Sequence, residues 1–322
     1  MSGVAAVAIV GPTATGKSEI ALALAAEVGG EIVSADSRQV YRYLDIGTAK
    51  PSPAERASVP HHLLDIVDPD GSFDAARYRD LARAAVEAIH ARGRPVIICG
   101  GTGLYLRALL RGLFRGPSRS SAVRVRLHAL EERDGPGTLH RMLAGADAAA
   151  AAHLHPHDLL RVVRALEVLE ITGRPISAWQ AEHGFADCGV RALVLGCARP
   201  REELAARIEA RCQAMLAAGL LDEIRDLWAR GYGPELPPLR SVGYREMGAH
   251  LRGECDRTSG FEAFARATRR LAKRQRTWFR AEPAIEWFHP DRDRAALLAR
   301  AVAWLEQPWP SPTSTSKTLS LR

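Results

Sequence analysis

The stretch VAAVAIVGPTATGKSEIALALAAEVG, residues 4–29, decides how the rest of the chain is read. Its first seven residues are all apolar, as in a strand buried on both faces of a parallel sheet. Gly11, Pro12, Thr13, Ala14, Thr15, Gly16, Lys17 and Ser18 follow at the spacing of a phosphate-binding loop, in which glycines let backbone N–H groups turn inward and a lysine adds a point charge. The Ser18 hydroxyl is placed to meet a magnesium ion. Beyond it, apolar positions recur at helical spacing as far as Gly29. Strand, loop and helix in that order are the setting the motif requires, and a glycine turn with an accidental lysine would not need it. The expected ligand is a diphosphate or triphosphate, and the loop leaves open which compound carries it.

Working outward, residues 1–114 alternate apolar runs (AVAIV, EIVSAD, RPVIICGG) with helical patterns, which predicts an α/β fold with a parallel sheet. Ligands of such sheets bind beyond the carboxyl ends of the strands. Residues 115–190 are rich in Ala, Leu and Arg with helical periodicity, and read as an inserted helical region. RALVLGCA, from Arg191, restores a strand that rejoins the sheet, and residues 191–307 add two long helical patterns, the first broken near Gly219. Residues 308–322, rich in Pro, Ser and Thr, read as a disordered tail.

The 322 residues suffice for one large domain with an insertion, or for two domains. No leader and no bilayer-length apolar run is visible, so the expectation is a soluble, cytoplasmic, monomeric protein with no membrane partner. Cys99, Cys188, Cys197, Cys212 and Cys255 are scattered and odd in number, which suggests neither a disulfide framework nor a zinc site. A net charge of +7 favours a polyanionic partner, although solubility alone can account for it. The charge is nearly all arginine: lysine occurs only at Lys17, Lys50, Lys273 and Lys317.

Asp36, in EIVSADSRQVY, ends the strand after the loop helix. It should face whatever the phosphate is attached to and can take a proton there, or it can merely cap the following turn. GGTGLYL brings glycines and the Thr102 hydroxyl to the same edge. His61 and His62 read as a packed, hydrogen-bonded pair rather than metal ligands, and HLHPH, His153 to His157, as a turn leading into a helix. Arg207 and Arg211, four apart, can aim two guanidinium groups at one anion. Arg266, Arg269, Arg270, Lys273, Arg274, Arg276 and Arg280 recur at helical spacing with few acidic partners and end beside Trp278 and Phe279. Such a face suits a nucleic-acid backbone and an unstacked base.

GPTATGKS, SADSRQVY with DIGTAKP, PHHLLDI, GGTGLYL, DLLRVVRALEV, RSVGYRE and AKRQRTWFR, in this order and covering most of residues 5–290, resemble the bacterial tRNA dimethylallyltransferases, also called isopentenyltransferases. The resemblance implies a P-loop NTPase-like parallel-sheet core with an inserted helical tRNA-binding domain and a helical C-terminal part. It also implies transfer of a dimethylallyl group from dimethylallyl diphosphate to the N6 amine of the adenosine 3′ of the anticodon, in tRNAs reading codons that begin with U. The phosphate in the loop is then a leaving group, stabilised by the loop, Lys17 and magnesium at Ser18.

By the same matching, Asp36 gains the role of general base, and Thr102 and Arg211 lie beside base and diphosphate. Contacts to the tRNA anticodon stem-loop are implied for Asp36, Ser37, Arg38, Gln39, Thr102, Arg124, Leu160, Arg161, Arg164, Arg240, Gly243, Tyr244, Arg245, Lys273, Arg274, Gln275, Arg276, Trp278 and Arg280. His157 departs from the asparagine common in the family, and Leu160 stands where a polar residue is usual. Competing readings are a P-loop kinase of a small metabolite, an RNA-binding protein without catalysis, and an enzyme that alkylates free adenine nucleotides.

Overall fold

The computed structural model describes residues 4–114, 116–184 and 190–307. The tail at 308–322, Lys317 and Cys188 lie outside the described residues. Those up to Leu110 and from Val190 onward form one compact unit, and those from Arg111 to Gly184 a second.

In the first unit β1 (Val4–Val10), β2 (Glu31–Ser34), β3 (His61–His62), β4 (Val96–Gly100), β5 (Val190–Cys197) and β6 (Ile285–Phe288) make one parallel sheet in the order β3-β2-β4-β1-β5-β6. Period-two alternation sorts β1 onto two cores. Val4, Ala6, Ala8 and Val10 pack with Tyr78, Ala82, Val86 and Ile89 of helix Ala75–Ala91. Val7 and Ile9 pack with Ile20, Ala21, Leu24 and Ala25 of helix Lys17–Val28 and with Leu297 and Ala301 of helix Arg294–Leu305. The sheet is covered on both faces, which is why its strands read as unbroken apolar runs. Truncating Leu24, fully buried, to Ala would cost about 2–5 kcal/mol.

Two sheet elements differ from the sequence reading. His61 and His62, placed between strands, are themselves β3, paired in parallel with Ile32 and Val33. Beyond β5 the sheet gains β6 and a covering helix that the short run IEWF did not announce.

Helices Arg201–Ala217, Leu220–Ala229, Tyr244–Leu251 and Arg257–Arg280 enclose a further core around Ile208, Ile224, Met247 and Phe264. Gly219, at φ 101°, makes the expected break, a backbone angle open to glycine.

In the second unit, helices Ser121–Asp134, Thr138–Ala146, Ala148–Ala152, Leu159–Thr172 and Ile176–His183 pack around Leu127, Leu139, Leu143, Val162, Val163 and Leu166. Glu167 is fully buried among them. Its carboxylate accepts from Arg124 at 2.8 Å, from Arg164 at 2.6 Å and from the Ser120 N–H at 2.8 Å.

Candidate active site

The carboxyl ends of β1, β2, β4 and β5 lie in register, Val10 beside Gly100 and Gly196, and Ser34 beside Cys99. The loops that leave them meet at one edge. Gly11, at φ 143°, lies so close to β5 that a Cβ there would stand 2.5 Å from the Cys197 carbonyl oxygen. The Thr15 hydroxyl donates back to the Pro12 carbonyl at 2.9 Å. The Thr13 N–H donates to Gln275 Oε1 at 2.9 Å, and Gln275 Nε2 donates to the Gly101 carbonyl at 3.0 Å. Gln275 therefore ties the loop to the β4 turn, with one N–H and one oxygen lone pair of its amide engaged there. Among the described residues, the N–H groups of Ala14 to Ser18 have no backbone acceptor. With the start of helix Lys17–Val28 they form an anion cradle.

A cleft of about 770 Å³ at this edge is lined by Lys17, Ser18, Asp36, Thr102 and Arg211 together. Of the eight cationic side chains that line it, Lys50 and Arg245 are paired with acids, and Lys17, Arg38, Arg211, Arg240, Arg270 and Arg274 have no ion pair among the described residues, against Asp36 and Glu55, which marks it as an anion site. Burial holds the Lys17 ammonium below its ordinary pKa, and nearby Arg211 pushes the same way while Asp36 opposes. Burial likewise lowers Arg211, again opposed by Asp36. Both cations are thus short of water and would gain from a polyanion.

Asp36 is both things its sequence position allowed. Oδ1 accepts the N–H groups of Arg38 at 2.8 Å and Gln39 at 3.4 Å, as a turn cap does, while the residue also lines the cleft. The Thr102 hydroxyl accepts from the Ser37 N–H at 3.0 Å, so its own proton remains to be donated. Arg207 and Arg211 line one pocket together with Lys17 and Ser18, as their spacing allows, and Arg207 Nε also donates to the carbonyl of Ala14, on the loop itself, at 3.0 Å.

DIGTAKP forms part of the wall, fixed by two devices that the sequence did not reveal. The Lys50 ammonium, fully buried, donates to the Tyr41 carbonyl at 2.8 Å and to Asp45 and Asp65 at 2.6 Å each. The Glu223 carboxylate accepts the N–H groups of Asp45, Ile46 and Gly47 at 2.9, 2.6 and 3.1 Å and the Tyr244 hydroxyl at 2.6 Å. Tyr244, expected at the RNA surface, is instead 2% exposed, and a Cβ on Gly47 would strike its ring at 2.5 Å.

The other residues expected at the RNA are divided between contacts within the chain and exposed positions. Gln39 Nε2 donates to the carbonyls of Thr48 and Ala49. Arg124 and Arg164 are held by Glu167, because a buried carboxylate needs charged partners. Gly243, at φ 94°, opens the Tyr244 helix against Phe264. Trp278 is half-buried with Arg107 4.5 Å over its ring, and Phe279 is core. Arg245 pairs with Glu246, and Arg161 with Asp158 at 3.4 Å. Leu160 is 71% exposed, and Arg240 is exposed.

Helix Arg257–Arg280 divides its charge by face. Ala267, Arg270, Leu271, Arg274 and Gln275 share one stripe and line the cleft. Arg269, Lys273 and Arg280 point elsewhere, exposed, and with the half-buried Arg276 have no ion pair among the described residues. The histidines carry structural bonds: His61 Nδ1 to the Val59 carbonyl at 2.8 Å and His62 Nε2 to Glu31 at 2.7 Å. His153 closes helix Ala148–Ala152, and the turn through His155 leads into the next helix at Leu159.

The chain matches the family model described as IPP transferase over residues 39–282. It is 49% identical to tRNA dimethylallyltransferase 2 of Syntrophus aciditrophicus over 291 residues, 90% of this chain and 94% of that protein. The crystal structure of full-length tRNA isopentenylpyrophosphate transferase from Bacillus halodurans superposes with a TM-score of 0.69 at 36% identity, covering 95% of this chain and 97% of its own. A eukaryotic dimethylallyltransferase captured acting on tRNA superposes at 0.77 with 27% identity, covering 95% and 82%. With the loop, the acid and the cationic cleft set at one sheet edge, and with likeness of this extent on either side of it, the chain belongs to the IPP transferase family.

Proposed function

We propose that the chain transfers the dimethylallyl group of dimethylallyl diphosphate to N6 of the adenosine 3′ of the anticodon, adenosine 37, in tRNAs reading codons that begin with U, and releases diphosphate. The observation that carries this reading is the Asp36 carboxylate facing the same cleft as an open-amide loop, Lys17 and Arg211. As the allylic C–O bond breaks, charge grows on the departing diphosphate, where the free loop N–H groups, Lys17 and Arg211 stabilise it. As the N6–C bond forms, the amine loses a proton to Asp36. The Thr102 hydroxyl, which accepts the Ser37 N–H on one lone pair and keeps its own proton, donates to base or diphosphate.

Magnesium suits the same place. Ser18 presents an exposed hydroxyl at the loop's end, and a hard cation that takes most of its oxygens from phosphate and water needs few protein ligands. When bound it would neutralise charge on the leaving diphosphate. The adenine must leave the anticodon-loop stack, at a cost of about a few kcal/mol. Exposed Arg269, Lys273 and Arg280 are suited to offset this on the RNA backbone.

Diphosphate release tests the proposal. It should require the stem-loop RNA and magnesium together, whereas consumption of ATP in the presence of small metabolites would replace it with the kinase reading.

A further inference from the structure

The carbonyl side of the phosphate loop is held by two arginines. Arg199 Nε donates to the Thr15 carbonyl at 2.9 Å, and Arg207 Nε to that of Ala14 at 3.0 Å. A trans peptide is planar, with its C=O and N–H pointing in opposite directions. Holding the Ala14 carbonyl toward Arg207 turns the Thr15 N–H the other way, and holding the Thr15 carbonyl toward Arg199 does the same for the Gly16 N–H. Neither N–H has a backbone acceptor among the described residues. Ala14, at φ 63°, has a backbone angle that L side chains rarely adopt, so this bend needs outside support.

Arg199 is itself firmly placed, with a side chain only 1% exposed. Its outer nitrogens bond both oxygens of Asp291, at 2.6 and 2.7 Å, and Glu203. His289 Nδ1 accepts the N–H groups of Asp291 and Arg292 at 3.3 and 3.1 Å, which leaves Nε2 protonated to donate to Glu203 at 3.0 Å. Glu203, His289 and Asp291 are gathered as metal ligands would be, with ligand atoms within 4.8 Å of one another, yet the cation that Glu203 and Asp291 share is this guanidinium, and His289 bonds Glu203.

We propose that Arg199 and Arg207 are positioning residues of the transfer reaction: by holding the Thr15 and Ala14 carbonyls outward they keep the Gly16 and Thr15 N–H groups aimed at the diphosphate. The inference rests on the diphosphate site proposed above. Arg207, 39% exposed in its side chain, can be replaced with little threat to folding, and Arg199 only with more.

The test is the affinity of the full chain for inorganic diphosphate with magnesium, by calorimetry at low and high salt, beside melting temperature, stem-loop affinity and kinetics. Losing one oriented donor to a charged ligand should weaken diphosphate binding by about 10- to 100-fold in Arg207→Gln and in Arg199→Gln. KM for dimethylallyl diphosphate should rise, with stem-loop affinity unchanged. Arg207→Lys, which keeps a donor within reach of the Ala14 carbonyl, should recover most of the loss, and the loss should persist at high salt. Unchanged diphosphate affinity in Arg207→Gln, or a loss that salt abolishes, would overturn the proposal. Wild-type protein that binds no diphosphate would instead remove the site on which it rests.

Discussion

Asp36 Oδ1 accepts the backbone N–H of Arg38 at 2.8 Å, so the turn that follows β2 is built on the same carboxylate that faces the cleft. Asparagine can keep this cap through its carbonyl oxygen but cannot take a proton. Asp36→Asn should therefore lower kcat by about 10²- to 10⁴-fold while stem-loop affinity stays nearly unchanged. A large loss of RNA binding, with turnover of the bound RNA preserved, would make Asp36 a binding group only.

Lys17 titrates below the ordinary lysine value of 10.5 because it is buried, with Arg211 adding to the effect. Its charged form is the one that binds diphosphate. Affinity should then fall as pH rises through this lowered pKa, before 10.5 is reached. Lys17→Arg, which stays charged, serves as the reference that removes the ligand's own titration. Identical profiles for the two proteins up to pH 10.5 would contradict the assignment.

Glu167 sits at about 2, well below its usual 4.5, because Arg124, Arg164 and the Ser120 N–H outweigh its desolvation. A lowered acid stabilises the fold above its unfolded pKa and loses that contribution as pH falls from 4.5 toward 2. Glu167→Gln should destabilise the helices of residues 111–184 by on the order of 3 kcal/mol at neutral pH. It should also flatten their acid dependence, read by hydrogen exchange in the full chain. Equal acid sensitivity in both proteins would show that the buried cluster is not the source.

Arg269 and Lys273 are exposed on helix Arg257–Arg280 without ion-pair partners among the described residues. Replacing both with Gln should weaken stem-loop binding and reduce the slope of log affinity against log salt by about 0.7–0.9 for each phosphate no longer neutralised. Diphosphate affinity should not change. An unaltered slope would take this face out of the interface.

The phosphate loop, its strand and its helix were legible because a glycine-lysine spacing and two hydrophobic periods are local signals. Asp36 and Thr102 followed from the rule that ligands lie beyond strand ends. Features set by residues far apart in the chain were not legible. Arg199 reaches Thr15 across 184 residues, and Gln275 reaches Thr13 across 262. No local pattern in CARPREE or KRQRTW marks such bonds.

Glu167 did leave a signal, since it lies four residues after Val163 on the same buried helical face. An acid there has to be paired internally, and Arg164, three residues before it on the same helix, is within reach. β6 went unread because four residues with Glu286 among them resemble a loop as much as an edge strand.

The most direct measurement incubates the protein and magnesium with dimethylallyl diphosphate labelled in its allyl group and an anticodon stem-loop carrying adenosine 3′ of the anticodon. The account predicts label in the RNA, and none when that adenosine is replaced by guanosine. Unlabelled RNA, or label that persists after the replacement, would contradict it.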